Sequence, residues 1–276
     1  MRLKLAYSPC PNDTFAFHAM VHNLIDTEGI EFLPELADVE LLNKRAAEDV
    51  YDVCKLSYST FFSLCDKYVM LRSGSALGYN NGPLFVSLDP VIGRESYSNL
   101  KIAIPGDGTT GALLLRNAFP ECRNLTPILF SEIEKRVLRR EFDAGVLIHE
   151  GRFTYKEKGL HLIEDLGSYW QNTTGFPIPL GGIAVSRRLD KNLQQIVNRI
   201  LKRSIEFAFA HPDKSAGYVS ENAQEMDMEV QRKHIALFVN DYTLDIGDTG
   251  INAVEALYNK ALELNPGVIR REDLFI

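Results

Sequence analysis

The chain opens on alternation. In RLKLAYS, Leu3, Leu5 and Tyr7 share one face, the period of a half-buried strand. The period then changes. Phe17, Met20, Val21, Leu24 and Ile25 recur at i, i+3, i+4, i+7 and i+8, the apolar stripe of a helix. Asn12 or Asp13 offers its N-cap. IEFLPEL reads as a second strand, DVELLNKRAAEDV as a helix capped by Asp38, and YDVCKLSY as a third strand. A β-α-β-α-β opening implies a parallel sheet with right-handed crossovers.

The same order begins again at Leu100. LKIAIPG is a strand, TTGALLLRNAF a helix, TPILF a strand, SEIEKRVLRRE a helix and FDAGVLIHE a strand. One detail ties the halves together. Lys44-Arg45 precede Tyr51-Asp52, and Lys135-Arg136 precede Phe142-Asp143 at the same offset. This predicts two lobes built on one plan. GGIAVSRRL adds a strand, and three long helical stretches follow: NLQQIVNRILKRSIEFAFA, EVQRKHIALFVNDYT and GINAVEALYNKALEL. Gly82-Pro83 before LFVS, and PIPLGG at 177–182, mark two crossings between lobes. The expected division is discontinuous: residues 1–87 with 182–276 in lobe one, and 88–181 in lobe two. In such α/β folds the ligand lies between the lobes, at the carboxyl ends of the strands.

Composition narrows the partners. With 276 residues the chain can bury a sizeable core. A net charge of −7 argues against non-specific nucleic-acid binding, which needs a basic face. The four cysteines, Cys10, Cys54, Cys65 and Cys122, form no CxxC pair and read as reduced thiols. No apolar run approaches the ~18 residues of a membrane span, and the N-terminus lacks the apolar core of a signal peptide. A cytoplasmic protein with no membrane or nucleic-acid partner is expected, as a monomer or homodimer.

Chemistry is sought where strands end. The first lobe supplies SPCPNDT with Asn12 and Thr14, the run Ser57, Tyr58 and Ser59, and RSGSALG with Ser73 and Ser75. The second supplies GDGTTG and HEGRFTY. Gly106, Gly108 and Gly111 spell G-x-G-x-x-G, with Glu132 further on, yet too few strands fit this lobe for a dinucleotide fold. The same turn exposes amide groups at a helix N-terminus, and Thr109 and Thr110 add hydroxyls. It suits a carboxylate or similar oxygen group. The plainer reading makes Thr109 a helix cap.

His149 stands apart among the six histidines, because it ends the apolar run AGVLI where a strand opens into the cleft. An imidazole there takes a proton near neutral pH; the alternative is a histidine bonded to a loop carbonyl. His18 and His22 lack a third metal ligand, and His161 and His234 sit in amphipathic segments. Arg152 either clamps a carboxylate or pairs with Glu150 or another acid. Cys10 shows no basic neighbour to activate it. No G-x-S-x-G elbow or catalytic carboxylate pair is evident.

Several blocks in order, SPCPNDTF, KLSYSTF, RSGSALG, DAGVLIHEGRFTY and PLGGIAVSR, resemble the 1,4-dihydroxy-6-naphthoate synthases of the futalosine route to menaquinone. The resemblance runs from residue 7 to about 188. It implies the two-lobed, periplasmic-binding-protein-like (type II) α/β fold. The implied reaction cleaves a C–C bond of cyclic dehypoxanthinyl futalosine, with no metal or redox cofactor. The implied proton acceptor is His149. The implied substrate-binding segments are Lys55, Leu56 and Ser57, and the turn Thr109, Thr110 and Gly111, where the family has a small residue of less fixed type at the last position. Asn12, Thr14, Ser73, Ser75 and Arg152 are candidate cleft walls. The competing readings are a chorismate dehydratase of the same pathway, a non-enzymatic solute-binding protein and an NAD-dependent reductase.

Overall fold

The computed structural model describes residues 1–149, 151–223 and 227–276; Glu150, weighed above as a partner for Arg152, lies outside them. The predicted opening forms: β1 (Arg2–Tyr7), α1 (Pro11–Val21), β2 (Glu31–Leu36), α2 (Val39–Ala47) and β3 (Val53–Ser57). β1 runs parallel to both β2 and β3 and so lies between them. Asp38 caps α2 by accepting from the amides of Glu40 and Leu41.

α1 departs from expectation. Its N-cap is Cys10, without a side-chain bond, and it stops at Val21, leaving Leu24 and Ile25 outside. Pro11 at the first helical position has no amide to satisfy, so Asn12 and Asp13 need not cap and sit inside the first turn. The helix is buried on every side from Pro11 to Met20, rather than along one stripe.

The chain continues through α3 (Tyr58–Leu64), β4 (Tyr68–Met70) and β5 (Ala76–Gly78), then crosses. β6 (Leu84–Ser87), expected in lobe one, pairs in the second sheet. A 3-10 turn at Arg94–Asn99 leads to β7 (Ile102–Ile104), α4 (Thr110–Ala118), β8 (Leu125–Pro127), α5 (Phe130–Leu138) and β9 (Ala144–Leu147). α6 (Gly151–Thr154), β10 (His161–Asp165) and α7 (Leu166–Thr174) complete this half. β11 (Ile178–Ser186) returns to the first sheet, where its first residues, expected in lobe two, pair with β5. The pattern showed two crossings but not their ends, because strand partners far apart in sequence decide which sheet a short apolar run joins.

The first sheet has the order β2-β1-β3-β11-β4, with β5 also on β11; the second has β10-β6-β9-β7-β8. Each sets three parallel strands beside an antiparallel fourth, β11 on β3 and β6 on β9. The repeated Lys-Arg and aromatic-Asp pairs do matching work. Asp52 accepts from the Lys4 amide at 2.8 Å, and Asp143 from the Lys101 amide at 2.7 Å. Arg45 lies 5.3 Å from the Tyr51 ring centre, and Arg136 lies 4.8 Å from that of Phe142. In both lobes a carboxylate starts the third strand against the first, under an arginine stacked on an aromatic face.

The tail forms α8 (Lys191–Ala210), α9 (Pro212–Asn222), α10 (Met228–Phe238), α11 (Asp241–Leu244) and α12 (Gly247–Leu264). α8, α9 and α10 pack on α1, which explains its all-round burial. α12 lies against α3, β11 and α4, so it touches both halves. A single apolar cluster runs from Leu56 and Phe61 through Leu113 and Val146 to Trp170, across the two sheets.

Candidate active site

β1, β3, β7 and β9 all end at one cleft, whose space is about 750 Å³, the open solvent at its mouth included. The polar wall of the first half comes from α1 and β3. Lys55 donates to Asp13 Oδ1 at 2.9 Å, and both side chains are buried. Asp13 also accepts from Ser8 Oγ at 2.7 Å and from Asn12 Nδ2 at 2.8 Å. The Asn12 carbonyl in turn accepts from His234 Nε2 at 2.9 Å. The result is a continuous chain from His234 through Asn12 and Asp13 to Lys55.

Burial holds the pKa of His234 well below the usual histidine range, and the neighbouring charges of His149 and Lys55 act the same way. His234 is therefore neutral at physiological pH. Its ring stacks on that of His149 at 5.8 Å and 13°.

His149 enters from the other half, just beyond β9. It borders the cleft with a φ of +56°, in the left-handed region that few non-glycine residues adopt, Asn, Asp and His more readily than the rest. Its Nδ1 lies 3.6 Å from Cys10 Sγ, and Phe130 packs on its ring at 4.8 Å. This corrects the reading of Cys10 as a residue with no basic neighbour. The two lie 139 positions apart, and only the fold brings them together.

At the Thr-rich turn the plainer of the two sequence readings holds for Thr109. Thr109 caps α4: its hydroxyl donates to Gly106 O at 2.8 Å and accepts from the Ala112 amide. The Thr110 hydroxyl donates to Leu180 O at 2.6 Å. Both hydroxyl protons are thus committed within the protein. With the Ala112 amide spent on Thr109, what α4 offers the cleft is the amides of Thr110 and Gly111, first-turn groups with no partner within the helix. Ser57 is better placed to donate. Its Oγ accepts from Asn43 Nδ2 at 3.1 Å, and its amide donates back to Asn43 Oδ1, leaving the hydroxyl proton to aim elsewhere. Gly111 and Leu56 border the cleft with them.

Other sequence candidates divide. Asn12 and Arg152 border the cleft. Arg152 is engaged by Asp165 at 2.6 Å and donates to Gly82 O, so it ties the first crossing to the second half. Thr14 does not reach the cleft: it is fully buried and donates to Cys10 O and Pro11 O within its helix. Ser73 is also turned away, donating to Leu244 O at 2.7 Å. Ser75 bonds the Tyr58 hydroxyl at 2.8 Å and lines a small hollow behind the main cleft.

Sequence reasoning missed Asn43, Asn81 and His234. The signal for two of them was a polar residue on a buried helix face: Asn43 between Leu42 and Ala46, and His234 four residues before Phe238. Asn81 gave no such signal, because it lies in the first crossing, outside any helix or strand.

Beside the cleft the halves meet through Thr60 Oγ1, which donates to Gly108 O at 2.8 Å. Glu40 is wedged against the same loop. A Cβ on Gly106, which has a φ of +134°, would lie 2.3 Å from the Glu40 carboxyl carbon. Burial raises the Glu40 pKa; Lys44 and Asn43 oppose the rise and Asp107 adds to it. Its Oε2 is buried with no hydrogen-bond partner. A raised folded-state pKa gives stability that is fully present below the unfolded value of about 4.3 and is lost as pH rises through the raised value. Glu40→Gln is therefore expected to melt close to the parent near pH 4 and increasingly above it toward pH 7. A difference in melting temperature that does not grow with pH would contradict this.

Two α/β lobes with a cleft at their strand ends, lined by apolar surface and a few placed polar groups, define a binding-protein-like small-molecule site. The match is to a family: the chain belongs to the menaquinone biosynthesis family, whose model covers residues 3–263. It is 39% identical over 259 residues to the 1,4-dihydroxy-6-naphthoate synthase of Thermus thermophilus, covering 94% of this chain and 93% of that one. It is 38% identical over 268 residues to the enzyme of the same name from Streptomyces coelicolor, covering 94% and 92%. A crystal structure of protein AF1704 from Archaeoglobus fulgidus superimposes with a TM-score of 0.89 at 34% identity, over 95% of this chain and 97% of that one. The Candida albicans CA3427 product, described as having the generic periplasmic binding protein fold, superimposes with a TM-score of 0.69 at 14% identity, over 99% and 93%. The expected fold class is thereby established. No helix among the described residues is long and apolar enough to cross a membrane.

Proposed function

We propose that this chain is a 1,4-dihydroxy-6-naphthoate synthase, a carbon–carbon lyase of menaquinone biosynthesis that acts on cyclic dehypoxanthinyl futalosine. The observation that carries the reading is the position of His149, on the same side of the cleft as the first turn of α4 and across it from Lys55 and Ser57, in a chain so similar to enzymes of that name. His149 takes an acidic proton from the sugar-derived part of the substrate. In a retro-aldol cleavage that proton leaves a hydroxyl, the oxygen forms C=O, and the electron pair of the adjoining C–C bond passes to the naphthalene-forming fragment; in an elimination the pair left on carbon forms C=C as the adjoining bond breaks and its electrons leave with the departing fragment. Aromatisation of the naphthalene helps to drive the step forward. The Ser57 hydroxyl, the α4 amides and Lys55 hold the carboxylate and hydroxyl oxygens. Contact between the halves keeps water from the reacting atoms. None of the four cysteines forms a disulfide, which fits a reducing cytoplasmic location.

Incubating the purified protein with cyclic dehypoxanthinyl futalosine should release 1,4-dihydroxy-6-naphthoate, detected by mass spectrometry. Substrate that survives intact sinks the assignment.

A further inference from the structure

Asn81 has both amide atoms buried and neither makes a hydrogen bond within the protein. The residue is only 1% exposed, yet it borders the cleft. A buried amide left without partners costs free energy, and native proteins keep such groups where something else satisfies them. The residue is not loosely held. On one side, Asn240 donates to Leu77 O at 2.9 Å. On the other, Arg152 donates to Gly82 O and the Leu166 amide donates to Pro83 O at 3.0 Å. Gly82 is so close to Gly167 that a Cβ on it would lie 2.3 Å from the Gly167 Cα. The first crossing is therefore pinned on both sides of Asn81, and the side chain has a fixed place at the cleft wall.

An amide offers two N–H donors and one carbonyl acceptor. A carboxylate accepts only, so it satisfies half of this group. A hydroxyl both donates and accepts, and two neighbouring hydroxyls satisfy both atoms together. We propose that Asn81 binds the hydroxyl-bearing, sugar-derived portion of the substrate, while the carboxylate lies toward the first turn of α4. This rests on the function proposed above and assigns the polarity of the substrate within the cleft. Asn81 is a specificity determinant: it distinguishes a substrate that carries the polyol ring from a product that has lost it.

The test compares parent, Asn81→Ala and Asn81→Ser by turnover of cyclic dehypoxanthinyl futalosine, by binding of 1,4-dihydroxy-6-naphthoate and by ligand-free melting. Losing hydrogen bonds in a dry site should raise KM for the substrate about 10- to 100-fold in Asn81→Ala. Asn81→Ser, whose hydroxyl can still donate and accept, should lose less. Affinity for the naphthoate product, which lacks the ring, should stay within about two-fold in both. Ligand-free melting should be unchanged or raised, because the replaced atoms bond nothing in the protein. A merely structural asparagine would instead lower the melting temperature. Unchanged substrate KM in both variants, or equal loss for substrate and product, overturns the assignment of Asn81. A parent protein inert toward the substrate overturns the functional reading itself, and with it this one.

Discussion

Replacing His149 by alanine should lower turnover by about 10²–10⁴-fold, the contribution of one positioned base, while substrate still binds. The effect is expected to be large because no second group among the described residues of the cleft duplicates the role. His234, the nearest imidazole, is neutral and stacked on the His149 ring, but its Nε2 is bound to Asn12 within the Asp13–Lys55 chain. The alanine variant also places a non-glycine residue at a φ of +56°. His149→Asn controls for this, because asparagine tolerates the left-handed region yet supplies no base. Both variants should lose turnover alike and retain binding in a direct titration. If either retains near-parental turnover, His149 is not the proton acceptor.

The second large effect concerns Lys55. Its ammonium and the Asp13 carboxylate form a pair at 2.9 Å, with side chains only 9% and 5% exposed. Lys55→Met leaves that carboxylate buried with its hydrogen bonds but no countercharge. Breaking one side of a buried pair costs about 3–5 kcal/mol. The double replacement Lys55→Met with Asp13→Asn removes both charges and should recover most of that loss, because a neutral pair carries no uncompensated charge. Urea unfolding measures each. Substrate binding should be weak in both, since both lack the cation. A single variant within about 1 kcal/mol of the parent would mean that the pair contributes little.

His149 shows what a sequence makes legible: it follows the apolar run of β9, and such a run announces a strand and its end without any structure. Lys55, in the middle of β3, stands out only through the family resemblance. The Lys-Arg and aromatic-Asp repeat was equally legible, and it has a physical basis in both lobes: Asp52 and Asp143 hold the amides of Lys4 and Lys101, beneath Arg45 and Arg136. Asp38 and Thr109 cap their helices as the sequence suggested. Such features are local, set by residues a few positions apart and by backbone geometry that neighbours dictate.

Other features were not legible, for one shared reason. Thr109 and Thr110 looked like hydroxyl donors to a ligand, yet Gly106 O and Leu180 O already accept their protons. Whether a polar atom is spent depends on every neighbour, and Leu180 is 70 positions from Thr110. Thr14 and Ser73 shared a composition with true wall residues and differ only in where packing turned them. The first lobe's end was misplaced because LFVS is apolar in either sheet, and β9 and β10 claimed it.

The sequence by itself determined two α/β repeats, their strand ends and the family to which they belong, because period, turn chemistry and ordered motifs are written along the chain. Only the tertiary structure decided that Cys10 meets His149, that His234 joins Asn12, and that Asn81 lies buried with both amide atoms unanswered. Each is a relation between elements that pack from distant parts of the chain. Contact and burial are properties of that packing, and no local pattern encodes them.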